Sequence, residues 1–219
     1  MKLYLVMLKK SLIEPVLCAI CGKNEAATKD HIPPKGIFIK PRPSNLITVP
    51  SCLLCNQGAS QLDERFKLYL GLHVGKQQIT GNQFFKEGTM GTLRHNRKLR
   101  MEVIKKMQPV HIATKSGLIY DRGYSVLWDS NAHDATIERI IRGLFYHHYQ
   151  SILGDNVNIK THWFKELPYF DYETLYKVDI GEGIFSYYHN KAIDSEFESI
   201  WIFEFYQAHW AGGYTTKKK

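Results

Sequence analysis

Four cysteines in two closely spaced pairs are the residues of this 219-residue sequence that point most directly to chemistry. Two residues separate the sulfurs within each pair, so both thiolates can face one ion from a tight turn. Gly22, directly after the first pair, suits a turn that needs a positive φ angle. Two such turns complete the thiolate shell of a structural zinc, which leaves no coordination position open for catalysis. The sequence therefore predicts a structural Zn²⁺ bound by Cys18, Cys21, Cys52 and Cys55.

The same cysteines could instead form two disulfide bonds, or one pair could be redox-active. No run in the sequence reaches the roughly 18 apolar residues of a membrane-spanning helix. Lys9 and Lys10 interrupt the N-terminal apolar stretch, which argues against a secretory signal. We therefore expect a cytoplasmic protein without membrane contact, in a compartment where disulfides are rare and paired cysteines more often hold metal. A redox pair would not need a second copy.

The segment between the cysteine pairs predicts a small hairpin. Its prolines and glycines exclude a helix, whereas "GIFI" and "NLITV" are typical of short extended pieces joined by the basic turn "KPRPS". After the second pair, apolar residues recur at helical spacing, which predicts a helix that begins near Asn56. The residues on this apolar face are Leu62, Phe66, Tyr69 and Leu70.

These residues resemble the HNH nucleases, whose finger consists of two strands, a helix and a metal ion. The likeness rests on Asp30-His31-Ile32 in the first strand, Asn45-Leu46 at the second and Cys52-x-x-Cys55-Asn56 leading into the helix. Many members of the family also carry two cysteine pairs around the finger. The resemblance covers residues 16 to 70 and implies an N-terminal ββα-metal module with endonuclease activity.

The resemblance also implies a role for each matching residue. His31 takes the place of the general base that accepts a proton from the attacking water. Asp30 and Asn56 match the ligands of a single catalytic cation, Mg²⁺ or Mn²⁺. Asn45 matches the residue that holds the hairpin and helps to orient the histidine.

The chemistry of these residue types supports the same roles. Imidazole has an unperturbed pKa of about 6.5, so a neutral His31 can accept a proton at working pH. A carboxylate and an amide oxygen are hard donors that suit Mg²⁺ or Mn²⁺. Two departures from the family pattern are Asn56, where histidine is the commoner residue, and a long "LITVPS" spacer before Cys52.

Each of these residues also has a purely structural interpretation. Asp30 and His31 could form a turn cap with a surface imidazole, and Asn45 could serve a turn. Asn56 could cap the following helix. Asp63 and Glu64, about two turns further on, are expected on a solvated helix face.

Two groups of basic residues are candidates for phosphate contacts. The formal net charge of +8 favours polyanionic partners, although it also serves solubility. In the predicted hairpin turn the candidates are Lys35, Lys40 and Arg42. In the densest basic run, residues 94 to 106, they are Arg94, Arg97, Lys98 and Arg100, and a solvated helix face explains this run equally well.

The remaining chain predicts a second α+β domain with an antiparallel sheet. Residues 76 to 100 are typical of a loop with short extended pieces, and "LRMEVIKKM" predicts a helix ended by Pro109. A meander with turns at "KSG" and "DRG" follows, then a helix from an Asp134 cap to Gly154. His147 and His148 on that helix are expected to be packing and surface residues. Three strands are predicted at "NVNIKTHWF", "GIFSYYHN" and "ESIWIFEFYQAHW".

The sequence thus predicts an α+β protein of two domains, a ββα-metal finger over residues 1–72 and a mixed domain over residues 73–219. The leading functional hypothesis is a metal-dependent endonuclease, with DNA favoured over RNA and the second domain selecting the substrate. One alternative is a zinc-stabilised nucleic-acid-binding module or subunit of a larger complex that does not cleave. Another is a protein-interaction platform formed by the aromatic C-terminal domain. The sequence does not specify the oligomeric state.

Overall fold

The computed structural model describes residues 15–75 and 79–218. The N-terminal apolar stretch with Lys9 and Lys10 lies outside these residues, as do residues 76–78 and the final lysine. The described chain is α+β with antiparallel sheets, which confirms the predicted fold class. Within it, no helix combines the length and apolar character that crossing a membrane requires.

The first layer consists of a two-stranded sheet followed by helices. Strand β1 (Thr28–Ile32) pairs antiparallel with β2 (Ile47–Ser51), and α1 (Leu53–Gly58) and α2 (Ser60–Val74) follow. The predicted strand at "GIFI" is wrong, because Lys35–Ile37 forms a 3-10 turn. Pro33 and Pro34 carry no amide hydrogen for a strand ladder, so β1 ends before them.

Residues 79 to 106 are helical, and the predicted loop in this stretch is wrong. Helix α3 (Ile79–Phe84), a π-helical turn (Phe85–Thr89), α4 (Met90–His95) and α5 (Arg97–Lys106) follow one another. The glycines serve close packing here, since a Cβ on Gly81 would lie 2.4 Å from the Val74 carbonyl oxygen. Asn96 caps α5 by accepting a hydrogen bond from the Leu99 amide.

A long hairpin, β3 (Met107–Ala113) and β4 (Ile119–Val126), follows α5. The predicted turn at "KSG" is confirmed, with Gly117 at φ 89°. The second predicted turn is wrong, because "DRG" lies inside β4. The two strands form one two-stranded ribbon, which is not the predicted meander.

Helix α6 (Ser130–Tyr149) lies at the centre of the fold. Its side-chain cap is Asp129, five residues before the expected cap at Asp134, and its C-cap is Gln150, with a left-handed φ of 50°. Asp129 is the cap, and Asp134 is not, because the Asp129 carboxylate accepts a hydrogen bond from the Ala132 amide. Helical spacing predicts one face formed by Ile137, Ile140, Ile141, Leu144, Phe145 and His148. The five apolar residues of this face are fully buried, whereas His148 is half-buried.

A five-stranded antiparallel sheet completes the fold, with the strand order β5-β9-β8-β7-β6. The strands are β5 (Val157–Phe164), β6 (Tyr176–Ile180), β7 (Phe185–Lys191), β8 (Ser199–Phe205) and β9 (His209–Lys217). All three predicted strand segments lie in this sheet, although the third contains β8, a turn and only the first two residues of β9. Strand β6 and the rest of β9 were not predicted. The aromatic side chains of β7 and β8 form much of its buried face.

One apolar core joins residues from both sides of the predicted boundary at residue 72. Gly143 allows α6 to approach β1, because a Cβ there would lie 2.5 Å from Cγ1 of Ile32. The Tyr206 hydroxyl, from the turn after β8, donates a 2.6 Å hydrogen bond to the Ile37 carbonyl. The N-terminal hairpin therefore packs directly on α6 and on the large sheet.

Candidate functional site

The four cysteines lie together at one end of the β1–β2 hairpin. Their Sγ atoms are all within 4.8 Å of one another. Cys18 and Cys21 lie in the turn before β1, where Gly22 has the expected positive φ of 66°. Cys52 is the N-cap of α1 and Cys55 lies in its first turn. Within residues 15–75 and 79–218, three or more His, Cys, Asp or Glu side chains come close enough to share an ion only at these four cysteines.

The geometry and charge of this cluster fit a zinc ion. The Sγ atoms of Cys21 and Cys52 are 4.0 Å apart, close to the ~3.8 Å expected for two sulfurs around one Zn²⁺ and far beyond a disulfide bond. Burial raises the pKa of the Cys18 thiol, but hydrogen bonds from the Cys21 and Cys52 amides outweigh it and bring the pKa to about 6. Burial and the neighbouring sulfurs raise the pKa of Cys55. Four thiolates this close need a cation to share their charge.

His31 lies on the outward side of β1 and is half-buried. Burial lowers its pKa first, and the nearby charges of Lys35 and Arg42 lower it further. The ring is therefore neutral near pH 7, which is the protonation state of a general base. Arg42 donates from Nε to the backbone carbonyl oxygen of Lys35 at 3.3 Å, which holds the Arg42 side chain against the 3-10 turn after β1.

Asp30 points to the opposite side of β1, into the protein, and is 6% exposed. Its Oδ2 lies 3.6 Å from Nε of Arg139, and within the described residues neither atom has a hydrogen-bond partner. Arg139 also donates from Nη2 to both carboxylate oxygens of Asp63, at 2.7 Å each. The expectation that Asp63 is solvated is therefore wrong, because its carboxylate is drawn to a buried guanidinium.

Two carboxylates and one guanidinium leave one negative charge uncompensated in this buried cluster. Burial raises the pKa of both Asp30 and Asp63, and Arg139 opposes this rise. Asp30 also accepts a hydrogen bond from the His31 backbone amide. We refer to Asp30, Asp63 and Arg139 as the ion cluster.

The two predicted asparagines bond to different parts of the protein. Asn56 lies inside α1, not at its cap, and donates to the Thr28 hydroxyl and the Lys29 carbonyl at 3.0 and 3.2 Å. Asn45 is exposed and donates to the Asp179 carbonyl in β6 at 3.3 Å. Among the described residues, no side-chain hydrogen bond joins His31 to Asp30, Asn45 or Asn56.

The predicted Mg²⁺ or Mn²⁺ site does not fit the residues as they are arranged. Asp30 faces a guanidinium, and an added cation beside it would meet like charge. Without the Asp30 carboxylate, the amide oxygen of Asn56 is the one ligand that remains of the predicted pair, since its amide nitrogen donates to Thr28 and Lys29. The donor set therefore fits zinc at the cysteines but forms no second cation site at Asp30 and Asn56.

The basic candidates fall into two separate places. Lys40, Arg42 and Asn45 line a cavity of about 580 Å³ that also borders the β6–β7 turn. Arg94 and Arg100 line a different cavity of about 410 Å³ beside α5. Arg97 and Lys98 are exposed in the first turn of α5.

Three residues at the site were not predicted as functional, namely Asp63, Lys67 and Arg139. Lys67 is half-buried on α2, where its side chain lies against Gly36, and burial lowers its pKa. It lies within electrostatic reach of Arg42. The sequence signal for Lys67 is limited to the helical period of "LDERFKLYL", which places Lys67 one turn from Asp63 on α2. No local pattern marks Arg139.

Comparison of the chain with protein-family models, with curated proteins and with solved structures gave no match. The assignment of function therefore depends on the site itself.

Proposed function

We propose that this chain is an HNH-type endonuclease that hydrolyses phosphodiester bonds in nucleic acid, with DNA as the expected substrate. In this proposal a Zn²⁺ on the four cysteines holds the β1–β2–α1 unit together, and His31 is the general base. The free thiols suit a reducing compartment such as the cytoplasm.

The observation that carries the proposal is the setting of His31. It is a half-buried, neutral imidazole on the outward face of β1, with Lys35 and Arg42 close enough to lower its pKa. A phosphodiester bound by these two cations would lie beside the ring nitrogen that accepts a proton from water. Lys67, near Arg42, adds a third cation to the same face.

No step of the proposal is assigned to Mg²⁺ or Mn²⁺, because Asp30 faces Arg139 and the predicted ligands do not form a site for such an ion. The chain's own residues supply proton transfer at His31 and phosphate binding at Lys35 and Arg42.

The test is plasmid cleavage by purified protein with Mg²⁺, with Mn²⁺ and with a chelator of divalent ions. We expect His31→Ala to lose about 10²-fold or more of the activity, the usual contribution of a general base. His111→Ala is the matched control, because His111 is an exposed histidine in β3. Equal rates for the wild type and His31→Ala would contradict the proposal.

The position of Asp30 supports a second candidate, a zinc-stabilised nucleic-acid-binding module that does not cleave. Its carboxylate is held inside the ion cluster and offers no ligand to a catalytic cation. A protein of this kind would bind labelled duplex with strong salt dependence, while neither Mg²⁺ nor Mn²⁺ supported cleavage.

A further inference from the structure

A second surface, far along the chain from His31, combines an apolar floor with a basic rim. It is the cavity of about 410 Å³ between α4–α5 and the β3–β4 hairpin, and we refer to it as the hairpin groove. Its floor includes Leu93, Val103 and Val126, which extend a small core around Leu68 and Leu99. Arg94 and Arg100 lie at its rim.

The hairpin beside the groove exposes apolar surface that the rest of the described chain leaves uncovered. None of the residues in β3 or β4 is buried, and the two strands form a sheet of their own. A two-stranded ribbon is marginally stable in water unless another element packs on it. Exposed fractions reach 51% for Ile104 and 68% for Tyr124, both of which line the groove. Apolar exposure on this scale is typical of an interaction site.

The helices beside the groove carry positive charge without internal partners. Within the part of the chain that the structure describes, no ion pair or side-chain hydrogen bond involves Arg94, Arg97, Lys98, Arg100 or Lys105. The carboxylate of Glu102, also on α5, is already bonded to Arg65 and Lys106. An occupant of the groove therefore meets an apolar floor between unpaired cations, and acidic side chains would complement them.

We propose that the hairpin groove binds an amphipathic, acidic helix of a partner protein, whose apolar face fills the groove while its carboxylates pair with Arg94 and Arg100. A helix satisfies its own backbone hydrogen bonds, which suits a floor made of apolar side chains. Nucleic acid would use the cations but not the floor. A second copy of this chain, with net charge +8, would bring like charge to the rim. The proposal does not depend on nuclease activity.

The test is fluorescence anisotropy with a labelled model peptide that carries leucines at i, i+3, i+4 and i+7 and glutamates elsewhere. We expect the peptide to bind the wild type. The charge reversal Arg94→Glu/Arg100→Glu should weaken this binding about 10-fold or more and should also make it less dependent on salt concentration. Ile104→Asn should weaken it comparably without a change in net charge. Arg97→Glu/Lys98→Glu is the matched control, because it makes the same change in net charge at two exposed residues of α5 outside the groove lining and should change affinity less than about 3-fold.

Four results would overturn the proposal. The glutamate peptide could fail to bind, or a peptide with lysines in place of the glutamates could bind equally well. A labelled DNA duplex could bind the wild type but not Arg94→Glu/Arg100→Glu, while the peptide binds neither protein; this result would make the groove a nucleic-acid surface. Light scattering could show a dimer that Ile104→Asn abolishes, which would make the occupant a second copy. If the double reversal fails to fold by circular dichroism, Arg94→Gln and Arg100→Gln replace it singly.

Discussion

Replacing Arg139 by methionine should destabilise the protein by about 3 kcal/mol at neutral pH. Arg139 is 7% exposed and holds Asp63 through two hydrogen bonds of 2.7 Å, with Asp30 at 3.6 Å. Removing one partner of a buried ion pair costs about 3–5 kcal/mol, because it leaves the other charge buried and unpaired. Asp63 is 25% exposed, so water relieves part of this cost and the lower end applies. A loss of this size lowers Tm by about 6–12 °C.

The pH dependence gives the sharper test of the ion cluster. Burial holds the pKa values of Asp30 and Asp63 above that of a free aspartate, so the folded state binds protons more readily than the unfolded state. Stability from these groups is therefore highest in acid and falls as pH rises through the raised values. Without Arg139 the two pKa values rise further. The deficit of Arg139→Met should be small near pH 4 and should reach its full size at neutral pH.

The assay is urea unfolding of the wild type and Arg139→Met at acid and neutral pH. Arg142→Met is the matched control, since Arg142 lies one turn away on α6 and bonds the more exposed Glu138. A double-mutant cycle with Asp63→Asn should show coupling of about 1–3 kcal/mol. A neutral-pH loss below about 1 kcal/mol, or a loss independent of pH, would refute this account of the ion cluster.

Two further predictions concern the metal site and a buried histidine. Zinc chelation or Cys52→Ser should lower Tm by about 10 °C or more, because the thiolates lose the cation that shares their charge. Re-added Zn²⁺ should restore the Tm of the chelated wild type but not that of Cys52→Ser. Elemental analysis should find one bound zinc per chain. Burial lowers the pKa of His189 to about 4, so its contribution to stability, at most about 3 kcal/mol, is present above pH 6.5 and lost towards pH 4. His189→Phe should flatten unfolding free energies over this window, whereas the exposed His111→Phe should not.

The parts of the structure that could be predicted are those with a local sequence signal. The cysteine spacing predicted the cluster, and helical periodicity predicted the buried face of α6. Glycines misled the prediction for residues 79 to 95, because residues such as Gly81 and Gly88 commonly mark loops. In the structure they allow close contact, and a Cβ on Gly88 would lie 2.9 Å from the Phe84 ring. Tertiary packing overrides propensity at such positions.

The ion cluster could not be predicted, because its members lie in β1, α2 and α6 and no local pattern joins them. Asp30 suggested a metal ligand by type, and Asp63 suggested a solvated helix face. Neither interpretation included a guanidinium from α6. Arg139 lies between buried isoleucines on α6 and carries no periodic signal of its own.

The packing of α6 determines which residue of the Asp30-His31 pair can meet a substrate. Strand side chains alternate between two faces, and Ile32 packs against Gly143 of α6, so Asp30 must share that inner face. The register of β1 with β2 gives the same orientation for both residues, since Asp30 lies opposite buried Val49 and His31 lies opposite exposed Thr48. A slip of one residue would bury the imidazole and expose the carboxylate. The same helix that supplies Arg139 to Asp30 therefore also keeps His31 on the outer face, beside Lys35 and Arg42.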